Sequence, residues 1–309
     1  MIERLFSAID VKQSAVVVGL DPVLNRLPRF LVLEAAAQTA SPAAAAIAAL
    51  GRFNQAILQA VAPFAPAVKL QKACYEVYGA AGITLFEETA RQAQALGLIV
   101  IDDSKRGDIG STAALYAQAL IGPQSNADFV TVNPYLGWDG IEPFLHQADA
   151  NDKGVFVLTR TSNPSAGQYQ EAMSGSIPLY LRIAQDLAAR ASARLLHRGY
   201  GNLGAVVGAT WPEEAIVLRQ AMPGVLFLVP GYGAQGGSAA DAVPCFDAQG
   251  YGALINSSRG IIFAFAREDL PTSLQGETNF AEAAAWAAQA MKNDLAGALQ
   301  RAGKLPSTW

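Results

Sequence analysis

The 309-residue chain carries 22 basic against 26 acidic residues, a formal net charge of -4, and is 51% hydrophobic with 16% charged residues. That make-up belongs to a globular protein and excludes disordered and fibrous classes. No basic block marks a nucleic-acid footprint, so polyanion binding is not expected, while a single phosphate group remains open.

Length alone suggests two domains, but barrels often run this long as one. The start, MIERLFSAID, has charges inside it and lacks the apolar core of a signal peptide. No window of 18 apolar, uncharged residues suggests a membrane span. The chain therefore reads as cytoplasmic, with no membrane partner. Cys74 and Cys245 form no CxxC pair, which argues against structural zinc and a disulfide framework.

Taken in chain order, apolar runs predict strands at Ala15 to Leu20, Ala67 to Leu70, Leu98 to Ile101, Phe129 to Val132, Val155 to Leu158, Ala205 to Val207, Leu226 to Val229 and Ala253 to Ile255. Between them, helical patterns cover Ile47 to Val61, Leu85 to Ala95, Thr112 to Leu120, Leu179 to Ala193, Pro212 to Ala221 and Phe280 to Arg301. The Ala-rich stretch Ala35 to Ala48 reads as an inserted helical connection, because alanine favours helix and Ser41-Pro42 resembles an N-cap followed by the first helical residue.

Repeated β-α units of this kind predict an α/β fold, a parallel eight-stranded (β/α)8 TIM barrel with outer helices. Residues 1–309 would form one domain, with about 22–50 as the insertion after the first strand and about 230–250 as a closing loop. Polar residues follow most strands, and in such a barrel these loops share the C-terminal rim, where active sites lie.

The most telling loop is Asp103-Ser104-Lys105-Arg106-Gly107-Asp108, directly after the third apolar run. Residues 103 and 105 share one face of an extended chain, so an acid and an amine converge at the strand mouth. The amine, flanked by carboxylates, stays protonated and can donate a proton from a fixed place. A solvated charge cluster at a helix start, with Asp108 there for dipole reasons, fits the same spacing equally well.

Lys69 and Asp21 add an amine and an acid at two further strand ends, which favours convergence on one rim. Lys72 competes with Lys69, but three residues further along it is expected to be helical and solvent-facing. The glycine-rich segment from Pro230 to Gly237 permits close backbone approach to an anion. Arg259 follows the eighth run, as a phosphate clamp would. His146 and His197, in or near helical segments, read as surface or packing residues. No GxSxG elbow, Walker loop or HExxH pair occurs.

These segments together resemble the orotidine 5'-phosphate decarboxylase family, in its longer bacterial form. The resemblance rests on GLDP at 19 to 22, VKLQKACYE at 68 to 76, DSKRGDIGSTAALYA at 103 to 117, VNPYLG at 132 to 137, TSNPSA at 161 to 166, VGAT at 207 to 210, PGYGAQGG at 230 to 237 and SSRG at 257 to 260. It implies conversion of orotidine 5'-monophosphate to uridine 5'-monophosphate in pyrimidine biosynthesis, without metal or organic cofactor.

The resemblance further implies that Lys105 donates the proton to pyrimidine C6 and that Asp103 sits against the departing carboxylate. Lys69 would complete the charged set, and Asp108, with Ile109 and Thr112, would reach the site of a second subunit in a homodimer. Asp21 would contact ribose, Ser162 the pyrimidine edge, and Pro230, Gln235 and Arg259 the phosphate loop. Ser104 stands where alanine is common, and Asp102 replaces an apolar residue and is expected to face outward without disturbing the site.

Two rival readings stand beside this one. A magnesium-dependent aldolase or decarboxylase of sugar phosphates shares the acid-x-lysine-x-x-acid motif, but is expected to carry an acid where this chain has Lys69. A catalytically silent nucleotide-binding protein would keep the phosphate clamp alone.

Overall fold

Alternation along the apolar runs does close a barrel. A computed structural model of the chain describes residues 1–233 and 236–309. Its barrel strands are β1 (Val16–Leu20), β2 (Ala67–Gln71), β3 (Ile99–Arg106), β4 (Phe129–Val132), β5 (Gly154–Arg160), β6 (Leu203–Val207), β7 (Leu226–Pro230) and β8 (Ala253–Ser257). All neighbours pair in parallel, and β1 closes the ring against both β2 and β8. β2, β3, β5 and β8 run further than their apolar runs, because the polar residues that follow still pair with neighbouring strands; β3 reaches Arg106.

Residues pointing into the barrel form one apolar cluster that includes Val17, Ala67, Ile101, Phe129, Phe156 and Leu254. A larger cluster lies between the strands and the outer helices. The floor of the inner cluster is helix α1 (Ile2–Lys12), which buries Ile2, Leu5, Phe6 and Ile9 on one stripe. Each such burial is worth about 1.5–3 kcal/mol. This helix was not expected from the start of the sequence, although its apolar residues follow helical spacing.

The insertion after β1 is helical as expected and comprises α2 (Arg29–Gln38) and α3 (Pro42–Val61). The break falls where the cap was read, with Ser41 Oγ accepting from the Ala44 N–H at 3.2 Å and Pro42 opening α3. The other long helices are α4 (Gly79–Ala95), α5 (Gly110–Ile121), α6 (Trp138–Ala150), α7 (Leu179–Ala191), α8 (Pro212–Ala221) and α9 (Phe280–Arg301).

Two short antiparallel ribbons, Met173–Ser174 with Ile177–Pro178 and Leu195–His197 with Tyr200–Gly201, lie outside the barrel and were not predicted. His197 therefore sits in a ribbon, packed 5.6 Å from the Phe6 ring, while His146 is exposed on α6. No helix among the described residues is long and apolar enough to cross a membrane.

Candidate active site

The inward face of each strand changes character as the strand rises. On β2 it reads Ala67, Lys69, Gln71, and on β3 Ile99, Ile101, Asp103, with Lys69 beside Ile101 and Gln71 beside Asp103 in register. Period-two alternation thus carries the apolar floor upward into a charged ring without changing the backbone. Above that ring opens a cavity of about 490 Å³, within the range of small-ligand sites.

Asp103 is the hub of the ring. Its Oδ2 lies 2.8 Å from Lys69 Nζ and its Oδ1 2.6 Å from Lys105 Nζ, while Asp21 Oδ1 stands 3.3 Å from Lys69. Gln71 Nε2 donates to Asp103 at 3.1 Å and Thr131 Oγ1 at 3.0 Å. Burial alone would raise the Asp103 carboxyl, but Lys69 and Lys105 outweigh it and hold it well below the ordinary carboxylate range. Burial likewise would lower Lys69, and Asp21 and Asp103 overcome it, so this ammonium is held above its ordinary value. Asp103 and Lys69 are therefore both charged at neutral pH.

Lys105 differs from Lys69 in being reachable. Its side chain is 44% exposed against 7% for Lys69, and among the described residues its amine has one acidic partner. Its φ is +51°, a left-handed conformation unusual outside glycine, and here the β3 ladder shifts from Asp102 opposite Val130 to Arg106 opposite Val132. Thr131 secures the bulge by accepting from the Lys105 N–H at 2.9 Å.

The cavity wall formed by the loops after β7 and β8 suits an anion. Pro230, Gly231 and Tyr232 line it together with Ser258 and Arg259. Gly231 has φ +111°, which favours glycine. Gly19 is required for packing, since a Cβ there would lie 1.9 Å from Ser258 Oγ. The Arg259 side chain is exposed and has no hydrogen-bond or ionic partner among the described residues. A guanidinium with no partner among the described residues, lining the same cavity as the charged ring, suits a substrate with a phosphate at one end.

The model of the orotidine 5'-phosphate decarboxylase / HUMPS family matches residues 5–268. The chain belongs to that family. An orotidine 5'-phosphate decarboxylase of Rhodopirellula baltica is 42% identical over 95% of this chain and 98% of its own length. One from Clostridium acetobutylicum is 36% identical over 96% and 98%. Among solved structures, the OMP decarboxylase of Leishmania donovani aligns with a TM-score of 0.72 and 29% identity, covering 96% of this chain and 97% of that one.

Of the residues expected from the family resemblance, Asp21, Lys69, Asp103, Lys105, Ser162, Pro230 and Arg259 all line the one cavity. Asp108, Ile109 and Thr112 do not line it. Asp108 turns instead to accept from the Ile109 N–H at 2.8 Å, just before α5, and Ile109 is 55% exposed. Gln235 lies outside the described residues. Gln71, Thr131 and Asn256 also line the cavity and were not singled out, although alternation from Lys69 and from Phe129 points to the first two.

Lys72 has helical backbone as expected, at the head of the short helix Ala73–Glu76, but the expectation that it faces solvent is overturned. Its side chain is 8% exposed, and Nζ lies 3.0 Å from Asp102 Oδ2 and 3.7 Å from the centre of the Phe86 ring. Asp102 does face out of the barrel, but into the sealed layer beneath α4, where Ser104 Oγ donates to its other oxygen. Burial raises the Asp102 carboxyl, outweighing Lys72 and Ser104. Among the described residues, no group of three His, Cys, Asp or Glu is arranged to hold a metal ion.

Proposed function

We propose that this chain decarboxylates orotidine 5'-monophosphate to uridine 5'-monophosphate, the pyrimidine-biosynthetic reaction for which its relatives are named. The observation that carries the reading is Asp103 held between two ammonium groups, 2.8 Å from Lys69 and 2.6 Å from Lys105, in a cavity that the Arg259 guanidinium also lines.

Loss of carbon dioxide from C6 leaves a pair of electrons in the ring plane, where no neighbouring carbonyl can accept it. A fixed ammonium beside C6 stabilises that charge as it develops and then supplies the proton. Lys105 suits this role because its amine is exposed to the cavity while Asp103 fixes its direction. Asp103 would lie against the substrate carboxylate. At about 4 Å and an effective dielectric of about 20, two such anions repel by about 4 kcal/mol, which departure of carbon dioxide relieves. Lys69 keeps Asp103 ionised, Asp21 meets the ribose, Ser162 the base edge, and Arg259 with Pro230 and Gln235 the phosphate.

This chemistry is assigned to side chains alone, with no metal or organic cofactor. Turnover measured as carbon dioxide release and uridine monophosphate formation, before and after exhaustive chelation, tests it. Correctly folded protein with no turnover would defeat the decarboxylase reading, and activity lost on chelation and restored by magnesium would favour the sugar-phosphate rival.

The working form is proposed to be a cytoplasmic homodimer. Ile109, Leu115, Tyr116, Tyr135 and Leu136 expose apolar surface around the segment that carries Asp108 and Thr112. Covering that patch with a second copy would bring Asp108, Ile109 and Thr112 toward the partner's cavity. Sedimentation of the native protein, with turnover of mixtures of Lys105→Ala and Asp108→Ala chains, tests the sharing: mixed dimers regain one intact site only if it exists.

A further inference from the structure

Arg160 ends β5 immediately before the loop that brings Ser162 to the cavity, and its side chain is fully buried. The pairing of β5 with β6 runs from Leu158 opposite Val206 to Arg160 opposite Val207, one extra residue on the β5 side. That bulge turns Arg160 out of the barrel and into the helix layer. There its Nη2 donates to Glu171 Oε1 at 2.6 Å and to Glu214 Oε1 at 3.1 Å, and its Nε donates to the other Glu214 oxygen. The guanidinium carbon lies 4.5 Å from the centre of the Trp211 ring.

The two carboxylates belong to separate segments, and each has a neighbour that grips Thr161. Gln170, beside Glu171, accepts from the Thr161 N–H at 3.0 Å and donates to its hydroxyl at 2.7 Å. Trp211, three residues before Glu214, donates from its indole to the Thr161 carbonyl at 3.1 Å. Every polar group of Thr161 is thereby fixed by segments that Arg160 draws together. Gly208 closes the remaining side, where a Cβ would stand 3.0 Å from the Ser162 backbone nitrogen.

We infer that Arg160, with Glu171 and Glu214, is a positioning unit for the base-reading loop, setting how tightly the pyrimidine is held and leaving phosphate binding untouched. The inference rests on the proposed function, through the role given there to Ser162. Ion pairs of a planar guanidinium with two carboxylates fix direction as well as distance, which a lysine or a neutral core would not do. The unit sits on the helix side of β5, and among the described residues the hydrogen bonds of its segments run to Thr161 and not to Lys105 or Arg259, so loosening it moves the base edge first.

The test is calorimetric binding of two probes to the full-length protein: uridine 5'-monophosphate, and ribose 5-phosphate, which lacks the base. Wild-type protein that fails to bind the nucleotide would count against the proposed function itself. If it binds, Glu171→Gln and Glu214→Gln are expected to weaken the nucleotide about tenfold, the scale of one hydrogen bond to a charged group, and to leave ribose 5-phosphate within about twofold. Arg160→Lys should resemble them, whereas Arg160→Met can fail to fold, so the glutamine variants decide.

Equal weakening of both probes would reduce the unit to a fold-stabilising role and overturn the inference, as would unchanged binding of both. A turnover series gives an independent readout, with KM expected to rise more than kcat falls.

Discussion

Ion-paired side chains lie on opposite faces where β2 and β3 reach the rim, and the two sets meet opposite fates. On the inner face, Lys69, Asp103 and Lys105 form a chain that ends in an amine open to the cavity. On the outer face, Lys72 and Asp102 form a sealed pair beneath Phe86, with Ser104 completing the carboxylate's contacts. They lie back to back, since Asp102 and Asp103 are adjacent. The difference shows that burial of charge does not define a site. What distinguishes the inner face is a charge left with capacity to spare, next to space for a ligand.

The sharpest way to break the comparison is to remove the open amine. Lys105→Ala is expected to lower kcat by about 10,000-fold, the combined scale of a lost proton donor and a lost electrostatic stabiliser. It should change stability by less than about 1 kcal/mol, because a half-exposed ion pair contributes little. Steady-state turnover and urea unfolding on one preparation check both halves.

Arg259→Ala comes next, with KM raised about 100-fold and kcat less affected, since a lost charged phosphate contact costs binding first. Initial rates over a range of substrate concentrations separate the two constants.

The outer pair should answer in stability. Lys72→Met leaves Asp102 buried without its partner and is expected to cost about 3–5 kcal/mol, while Lys72→Met with Asp102→Leu recovers most of it. Urea denaturation of the two singles and the double measures the coupling. If Lys72→Met instead abolished turnover while leaving the unfolding midpoint in place, the two faces would not be separable.

A smaller effect sharpens the contrast through pH. Asp103 has a depressed carboxyl, so its contribution is fully present above the ordinary carboxylate pKa and is lost as pH falls through its folded value. Asp102 has a raised carboxyl, so protonation on acidification removes a buried charge and favours the folded state. Relative to wild type, Asp103→Asn should therefore lose its stability deficit toward low pH and Asp102→Asn should see its deficit grow. Unfolding midpoints between neutral and strongly acidic pH read the two signs. Lys69 acts at the other end, its contribution being present below about 10.5 and lost only as pH rises through a higher folded value.

Much of this was legible in the residues. Apolar runs located all eight strands because a parallel strand is buried on both faces, and the polar residues after them mark where chain meets solvent. The ends were less legible: β3 continues through Asp102 to Arg106, charged residues that a hydrophobicity reading cuts off. Lys72 was misread because its partner lies on another strand, 30 positions away, and nothing local announces the pair. An acid on the outward face of β3 and a lysine just past the end of β2 were the available signal. Helix α1 was passed over because the start was judged for targeting and not for periodicity. Asp108 was placed by resemblance alone, and it does not line the cavity.

The left-handed backbone of Lys105 carries one more implication. A lysine gains nothing from that conformation, which costs it about 1–2 kcal/mol and which glycine or asparagine would enter more easily. Under mutation with selection for foldability alone, position 105 should drift toward those residues and the amine should be among the first features to vanish. On the role proposed for Lys105, its presence here means that the demand for an amine outweighs conformational preference at this point in the chain.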